Sequence, residues 1–219
     1  MLARFRVFML IGMFCAAVGG CCCTQPIARQ QMAAAHYERA VALHEQGNFS
    51  EAVDAYTASL ELNPTDTWAL NGRGFALAEL GRLDEALADH DEALRLDPDS
   101  ADAYHGRGYI YDVQEEYEKA AAEYTASLRR NPNSPEAVHN RGMARYHLGD
   151  MDRALRDLDK AVLLDPSSVD SYHGRGGVWQ SKGEYEKALA DYNQALLLDP
   201  DNAVVYNDLG HLRNELEEY

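Results

Sequence analysis

Two stretches of the chain decide its fold: ADAYHGRGYIYDVQEEYEKAAAEYTASLRRNPNS at residues 101–134 and VDSYHGRGGVWQSKGEYEKALADYNQALLLDPDN at residues 169–202. Each is 34 residues long and carries Asn or Asp followed by Pro near its end. That pair recurs at an unbroken interval of 34 residues, with its prolines at Pro64, Pro98, Pro132, Pro166 and Pro200. A fixed period of this length indicates a stack of identical supersecondary units.

Small residues mark two further positions in each unit. Twelve residues before the prolines stand Ala52, Ala86, Ala120, Ala154 and Ala188, and twenty-four before them stand Ala40, Gly74, Gly108, Gly142 and Gly176. Small side chains at these points allow two helices to approach closely. Between the two positions lies a turn, which contains glycine in four units and Glu115 in the other. Each unit is therefore predicted to be a helix, a short turn and a second helix that the proline ends.

This pattern resembles the tetratricopeptide repeat (TPR), and the resemblance covers residues 33 to about 216. It implies an all-α fold, a right-handed α-solenoid of five TPR helix-turn-helix repeats plus a C-terminal capping helix. The repeats are 33–66, 67–100, 101–134, 135–168 and 169–202, and the cap is 203–219. In this family the first helices line a concave face, the second helices form the outside, and the usual role is to hold a peptide or a partner protein.

The capping helix has an apolar side and a polar side. Val205, Leu209 and Leu212 lie at helical spacing and are expected to cover the last repeat. Asn207, Glu215, Glu217 and Glu218 are expected to offer water a polar outer face, as terminal caps of solenoids do.

The first residues of the chain form a separate segment. Arg4 and Arg6 precede an apolar run, Val7–Val18, and Gly19, Gly20 and Cys21 follow. This order is typical of a signal peptide at 1–20, and it resembles a bacterial lipobox in which Cys21 becomes the lipidated first residue. Residues 21–32 would then be the lipid attachment and a short tether. An ordinary secretory signal cut nearby is one alternative, and an uncleaved anchor is another, although a bilayer span needs about 20 apolar residues.

The cysteines and the charge exclude several classes of function. All four cysteines, Cys15, Cys21, Cys22 and Cys23, lie in this N-terminal segment before the repeats, so the repeats have neither a disulfide nor a thiolate metal site. Without residues 1–20, 18 basic residues face 36 acidic ones, a formal charge of −18. Such a surface repels phosphate backbones and favours partners with basic segments, so nucleic acid is excluded. In the resemblance to lipoproteins, the absence of Asp after Cys21 favours the outer membrane over the inner one.

Arginine occupies the seventh position of every full repeat, as Arg39, Arg73, Arg107, Arg141 and Arg175. Sixteen residues later stand Asp89, Glu123, Asp157 and Asp191, with Ala55 in the first repeat. The family usually has an apolar residue at the seventh position, and a guanidinium placed there must find an acid. We expect structural ion pairs inside the repeats. Pairing of these acids with the arginines of the following repeat, and exposure of the arginines to solvent, are the alternatives.

A second series of residues faces the predicted concave wall. His105, His139 and His173 hold the fifth position, each three residues after an acid, Asp102, Glu136 or Asp170. The peptide-binding groove is predicted to contain these six residues together with Trp68, Asn71, Phe75, Tyr109 and Met143. The histidines have three interpretations: polar groove residues copied with the repeat, a pH-sensitive groove whose acids favour the charged imidazole, or a metal site. The metal site is geometrically poor, because equivalent residues of neighbouring repeats lie on the order of 10 Å apart.

No motif for catalysis, a cofactor or a metal stands out, so the chain is interpreted as a non-enzyme without a cofactor. Two functions remain. One is a membrane-tethered adaptor that binds a basic and apolar segment of a protein partner in the groove. The other is a structural assembly subunit of an envelope complex that uses its convex face.

Overall fold

The computed structural model describes residues 24–217, and all regular structure in this range is α-helical. The helices are α1 (Thr24–Glu45), α2 (Phe49–Leu62), α3 (Thr67–Glu79), α4 (Leu83–Leu96), α5 (Ala101–Val113), α6 (Tyr117–Arg130), α7 (Pro135–His147), α8 (Met151–Leu164), α9 (Val169–Ser181), α10 (Tyr185–Leu198) and α11 (Ala203–Glu217). The prediction of an all-α solenoid with five helical pairs and a last unpaired helix is confirmed.

The turn inside each helical pair requires a left-handed residue. Gly47, Gly81, Gly149 and Gly183 have φ angles of 76°, 72°, 78° and 76°. Residues with a Cβ atom rarely adopt this conformation, whereas glycine adopts it freely. Glu115 holds the same place between α5 and α6 with φ 59°, so this turn carries backbone strain.

The links between successive pairs follow the Asn/Asp-Pro signal. The helices α2, α4, α6, α8 and α10 all end at the residue immediately before the Asn or Asp of that pair. The next first helix is then capped by the side chain that precedes it. Ser100, Ser134 and Ser168 each accept a hydrogen bond from the backbone N–H three residues later. Such caps satisfy donors that the first turn of a helix leaves unpaired.

Close packing inside each pair explains the small residues of the repeat. The five alanines twelve residues before the prolines are completely buried. A Cβ atom added to Gly108 would lie 2.7 Å from the Tyr124 ring, and one added to Gly176 would lie 2.7 Å from the Tyr192 ring. In these two pairs the second helix therefore packs a tyrosine ring directly on the backbone of the first helix.

The curvature of the solenoid follows from which helices meet. Along the stack α3 contacts α5, α5 contacts α7, and α7 contacts α9, whereas within residues 24–217 no two second helices bring their backbones into contact. A stack whose units approach more closely on one side curves toward that side. The first helices α3, α5, α7 and α9 therefore line the concave face.

The proposed tether is shorter than its sequence implies. Residues 24–32 belong to α1, so most of the segment 21–32 is helical and not an extended linker. Arg29 stabilises this extension by donating from Nε to the Leu62 carbonyl at 3.0 Å and from Nη2 to the Glu61 carbonyl at 3.1 Å. A helix rises only about 1.5 Å per residue, less than half the rise of extended chain. The signal peptide and Cys21 lie outside the described residues. Within the described range no helix has the length and apolar character needed to cross a membrane.

Candidate binding groove

The second position of the first helices forms an exposed row along the concave face. This groove row consists of Trp68, Asp102, Glu136, Asp170 and, on the capping helix, Val204. All five are exposed, Trp68 by 61% and Val204 by 61%. Three carboxylates thus stand in line between an indole at one end and an isopropyl group at the other.

Two depressions open beside the groove row. One has a volume of about 320 Å³, and Trp68, Asp97, Asp99 and Asp102 are among its lining residues. The other has a volume of about 380 Å³ and is lined on its acidic side by Asp112, Glu136, Asp165 and Asp170. Neither lining contains a lysine or an arginine. The wall is therefore strongly electronegative, and it is complementary to a cationic segment.

Several predicted groove residues are less accessible than the sequence suggests. Asn71 is buried, with its amide donating to Ser100 Oγ at 3.1 Å and its Oδ1 lying 3.0 Å from His90 Nδ1. Phe75 and Met143 are partly buried. The Phe75 ring packs edge-on against the buried His90 ring at 5.0 Å. Asn71 borders the smaller depression, but its amide is bonded to groups inside the solenoid and offers a ligand little surface.

Tyr109 is also partly buried, and its hydroxyl donates to Glu79 Oε1 at 3.1 Å. Its side chain borders the larger depression together with His139. The tyrosine therefore offers only part of its ring to a ligand. Trp68 remains the predicted apolar groove residue with most of its surface in solvent.

Two of the three histidines contact polar side chains of the following repeat. His105 Nε2 lies 3.1 Å from Asn140 Nδ2, and His173 Nε2 lies 2.7 Å from an Asp208 carboxylate oxygen. Each partner stands 35 residues after its histidine. The residue at the same interval after His139 is Gly174. The Nδ1 atom of His139 is buried and has no hydrogen-bond partner among the described residues. The interval of 35 residues between a histidine and its partner is visible in the sequence, but only the acids three residues before each histidine were considered there.

Burial decides the charge of two of these histidines. The pKa values of His105 and His139 are lowered, chiefly because burial disfavours the imidazolium, although nearby acids act in the opposite direction. For His105 the nearest acid is Glu136 of the next repeat, 3.8 Å away, and not Asp102. The acids do favour the charged imidazole, as the interpretation of a pH-sensitive groove requires, but burial outweighs them at both histidines. Both imidazoles are neutral near pH 7 and add no positive charge to the groove.

No metal site emerges from the described part of the chain. Within residues 24–217, no group of three or more His, Cys, Asp or Glu side chains is placed to hold a metal ion. His105 and His173 each bond to a side chain of the next repeat and not to another histidine of the series.

The arginines meet the acids of their own repeats. Both oxygens of Asp89 accept from Arg73 at 2.7 Å, and Arg141 with Asp157 and Arg175 with Asp191 form the same two-pronged pairs at 2.7 to 2.8 Å. Asp89, Asp157 and Asp191 are buried. The alternative of solvent-exposed arginines therefore does not hold for Arg73, Arg141 and Arg175.

The pair of Arg107 and Glu123 differs from the others. A single bond of 2.7 Å joins Arg107 Nη2 to Glu123 Oε1, and within residues 24–217 neither Arg107 Nε nor Glu123 Oε2 has a hydrogen-bond partner. Burial raises the pKa of Glu123 despite the neighbouring arginine. Arg39, whose repeat has Ala55 in place of the acid, is exposed.

The four arginines that pair with an acid of their own repeat also reach the preceding repeat, at positions that the sequence analysis did not consider. Arg107 Nη1 donates to Asp91 at 3.0 Å, and Arg175 Nη1 donates to Asp159 at 2.8 Å. The corresponding partners of Arg73 and Arg141 are Thr57 and Thr125. All four partners stand sixteen residues before the arginine. One guanidinium thus links two second helices whose backbones do not touch.

Comparison with known proteins agrees with this architecture. Models described as tetratricopeptide repeat match residues 33–66, 55–88 and 108–175, and a model described as TPR repeat matches residues 76–112 and 180–215. Together they span most of the helical stack. The chain belongs to the tetratricopeptide repeat family.

Several solved structures share the fold. YrrB, described as a TPR protein with an unusual peptide-binding site, is 24% identical with a TM-score of 0.62, over 84% of this chain and 96% of its own. A thermophilic TPR protein from Thermus thermophilus is 21% identical with a TM-score of 0.72, over 82% and 98%. A TPR protein from Parabacteroides merdae is 23% identical with a TM-score of 0.67, over 85% and 74%. Among curated proteins, no significant match was found.

Proposed function

We propose that this chain is a lipid-anchored TPR scaffold of the bacterial envelope, and that its concave groove holds a segment of a partner protein on the periplasmic side. The observation that carries the proposal is the groove row, in which the exposed acids Asp102, Glu136 and Asp170 follow the exposed Trp68. YrrB, which shares the fold, is described as having a peptide-binding site. No catalytic residue is part of the proposal.

The geometry of the groove row suggests the chemistry of the segment. Packed helices lie about 8–10 Å apart, so successive acids of the row are separated by roughly that distance. An extended segment in the polyproline II conformation advances about 3.1 Å per residue and completes a turn every three residues, which puts every third side chain opposite the next acid. The proposed segment therefore carries Lys or Arg at a spacing of about three residues, beside an apolar residue that covers Trp68.

Charge and apolar contact contribute to different steps of binding. The acids of the groove row attract a cationic segment from solution, which mainly raises the association rate and is weakened by salt. Burial of the Trp68 ring is independent of salt and mainly sets how long the complex lasts. These two contributions can be separated by substitution.

Quantitative affinity capture from envelope extracts tests the groove. Reversal of Asp102, Glu136 and Asp170 to lysine should reduce capture mainly at low salt, and Trp68→Ala should reduce it at every salt concentration. The matched control reverses Glu51, Glu118 and Glu186, which are exposed on second helices and change the net charge equally. Equal losses from both triple reversals would mean that total charge, and not the groove, governs binding.

The membrane anchor rests on Cys21, which follows the small residues Gly19 and Gly20 after the apolar run. Substitution of Cys21 by serine should abolish incorporation of a labelled fatty acid and leave the protein soluble or unprocessed. Cys22→Ser serves as the matched control and should label normally. A Cys21→Ser protein that is cleaved normally and still partitions into detergent would show that the lipobox interpretation is wrong.

A second candidate function is supported by the convex side. Leu163 on α8 and Leu197 on α10 occupy equivalent positions and are 79% and 73% exposed. Exposed leucines repeated at one position favour contact with another subunit of an assembly. If Leu163→Ser with Leu197→Ser loses the captured proteins while the groove reversal retains them, the assembly subunit becomes the better account.

A further inference from the structure

The capping helix α11 keeps a feature that only a paired helix needs. Gly210 occupies the same position as Gly74, Gly108, Gly142 and Gly176 in the full repeats. At each of those four, an added Cβ atom would come within 3.0 Å of a side chain of the second helix. Around Gly210, nothing lies within 4 Å of the added Cβ atom. We call the open surface at Gly210 the seat. In the full repeats a second helix packs at this position, but on α11 no described residue of the chain does so.

The seat is part of an exposed stripe on α11. We define the α11 stripe as Ala203, Tyr206, Gly210 and Arg213, all of which are exposed. Tyr206 is exposed by 53%. The equivalent Tyr104 is partly buried, and the Arg130 guanidinium of its own second helix covers its ring at 4.2 Å. The face that α11 turns to water thus contains apolar residues beside polar ones such as the exposed Asn207, whereas the Glu217 side chain and Glu218 lie outside what the structure describes.

The α11 stripe also has the composition of a second helix. In α10, buried residues follow an order of small, tyrosine and small, as Ala188, Tyr192 and Ala195, and Tyr192 packs on Gly176 of the first helix. The α11 stripe repeats that order with Ala203, Tyr206 and Gly210. One helix therefore offers both the empty seat and a side chain of the kind that fills such a seat elsewhere in the chain.

Charge favours another copy of the chain at this face. From residue 203 to residue 214, every exposed residue is neutral or basic, with Arg213 as the formally charged one. The acid within this span, Asp208, is partly buried against His173 at 2.7 Å, and Glu215 just beyond accepts from Gln180 at 3.0 Å. Two copies of a chain with a large excess of acids repel each other where acidic surfaces meet. The exposed face at residues 203–214 avoids this repulsion because it presents no exposed acid.

We propose that a second copy of this chain occupies the seat. The two α11 helices pack antiparallel about a two-fold axis, as the helices of each repeat do, and Tyr206 of each copy covers Gly210 of the other. Such an interface is isologous, because the same surface serves on both copies. One helical face is smaller than a standard interface of about 800 Å² per partner, so the dissociation constant is expected in the micromolar range.

Sedimentation velocity of the full chain in detergent, over roughly 1 to 200 µM, tests this dimer. The wild-type chain should shift from monomer to dimer across the range. Gly210→Gln should weaken the dimer at least tenfold and should not lower the melting temperature, because its side chain meets open space and glutamine favours helix. Ala122→Gln places the same side chain at an exposed position of α6 and should dimerise like the wild type.

Two outcomes would overturn the proposal. In one, the wild-type chain stays monomeric at every concentration, which would leave a helix from another protein as the occupant. In the other, Gly210→Gln dimerises as strongly as the wild type, which would place the contact on a different surface.

Discussion

At the scale of single residues, the arginines show how one side chain holds the stack together. Arg175 donates two bonds to Asp191 on its own second helix and one to Asp159 on the preceding second helix. Asp191 is buried, whereas the Asp159 side chain is 58% exposed. The two acids share one guanidinium but differ in their contact with water, and their energetic contributions should differ accordingly.

Removal of each acid in turn tests this difference. Asp191→Ala leaves a partly buried guanidinium without its main partner and should lower the free energy of unfolding by about 2–4 kcal/mol. Asp159→Ala removes an exposed partner and should cost about 0–1 kcal/mol. Chemical denaturation at neutral pH measures both. Equal losses would show that the pair with Asp191 is no more important than a surface ion pair.

The burial of His90 was not predicted from the sequence. It is completely buried at the position where the neighbouring repeats have Tyr56 and Tyr124, with Nδ1 3.0 Å from Asn71 Oδ1. A histidine on a charged helix such as α4 is easily taken for a surface residue. The signal was its interval of 34 residues from two tyrosines that pack on the first helix.

The protonation of His90 makes stability depend on pH. Burial lowers its pKa from 6.5 to about 4, so below pH 6.5 the unfolded chain binds a proton that the folded chain refuses. The wild type should therefore lose stability as the pH falls from 6.5 toward 4. His90→Phe removes this loss, and the stability difference should move in its favour by about 1 kcal/mol per pH unit in that interval.

Chemical denaturation of both proteins at neutral and at acidic pH checks this prediction. His211→Phe, a change at an exposed position of α11, is the matched control and should show no such trend. A stability difference between His90→Phe and the wild type that is the same at both pH values would contradict it.

At the scale of helices and turns, the sequence predicted most of what is found. The interval between prolines, the small residues and the turn glycines define the helical pairs, because each reports a local requirement of the backbone. The continuation of α1 back to Thr24 was missed, since it depends on Arg29 bonding to carbonyls at the end of α2. Contacts of that kind join residues far apart in sequence and leave no periodic pattern.

The turn between α5 and α6 offers a test at this scale. Glu115 has a left-handed φ of 59°, which the other turns reserve for glycine. Glu115→Gly should relieve strain of about 1–2 kcal/mol, partly offset by the greater freedom of glycine in the unfolded chain, for a net gain of up to about 1 kcal/mol. Thermal unfolding measures the gain.

The neighbouring Gln114 provides the control for this substitution. Its φ is −82°, an ordinary value for a residue with a side chain, so Gln114→Gly should lower the melting temperature. A loss of stability in Glu115→Gly as well would mean that the glutamate side chain outweighs the backbone strain.

At the scale of the whole molecule, the solenoid presents an acidic concave wall on a chain of high negative charge. The sequence identified the acids Asp102, Glu136 and Asp170, because their spacing follows the repeat. It did not show that Asn71 would be buried or that two histidines would be neutral, since both depend on packing between neighbouring repeats. The open part of the groove is therefore simpler than predicted, a line of acids beside one exposed indole.

The central claim is that this wall holds the partner, and site-specific photo-crosslinking in living cells tests it most directly. A photoreactive amino acid replaces Glu136 in the groove row or, as the matched control, Glu118 on the second helix α6; both are exposed glutamates. Irradiation should yield a defined protein adduct from position 136 and none from position 118. Adducts that form from position 118 while position 136 gives none would contradict the claim and place the working surface on the convex side.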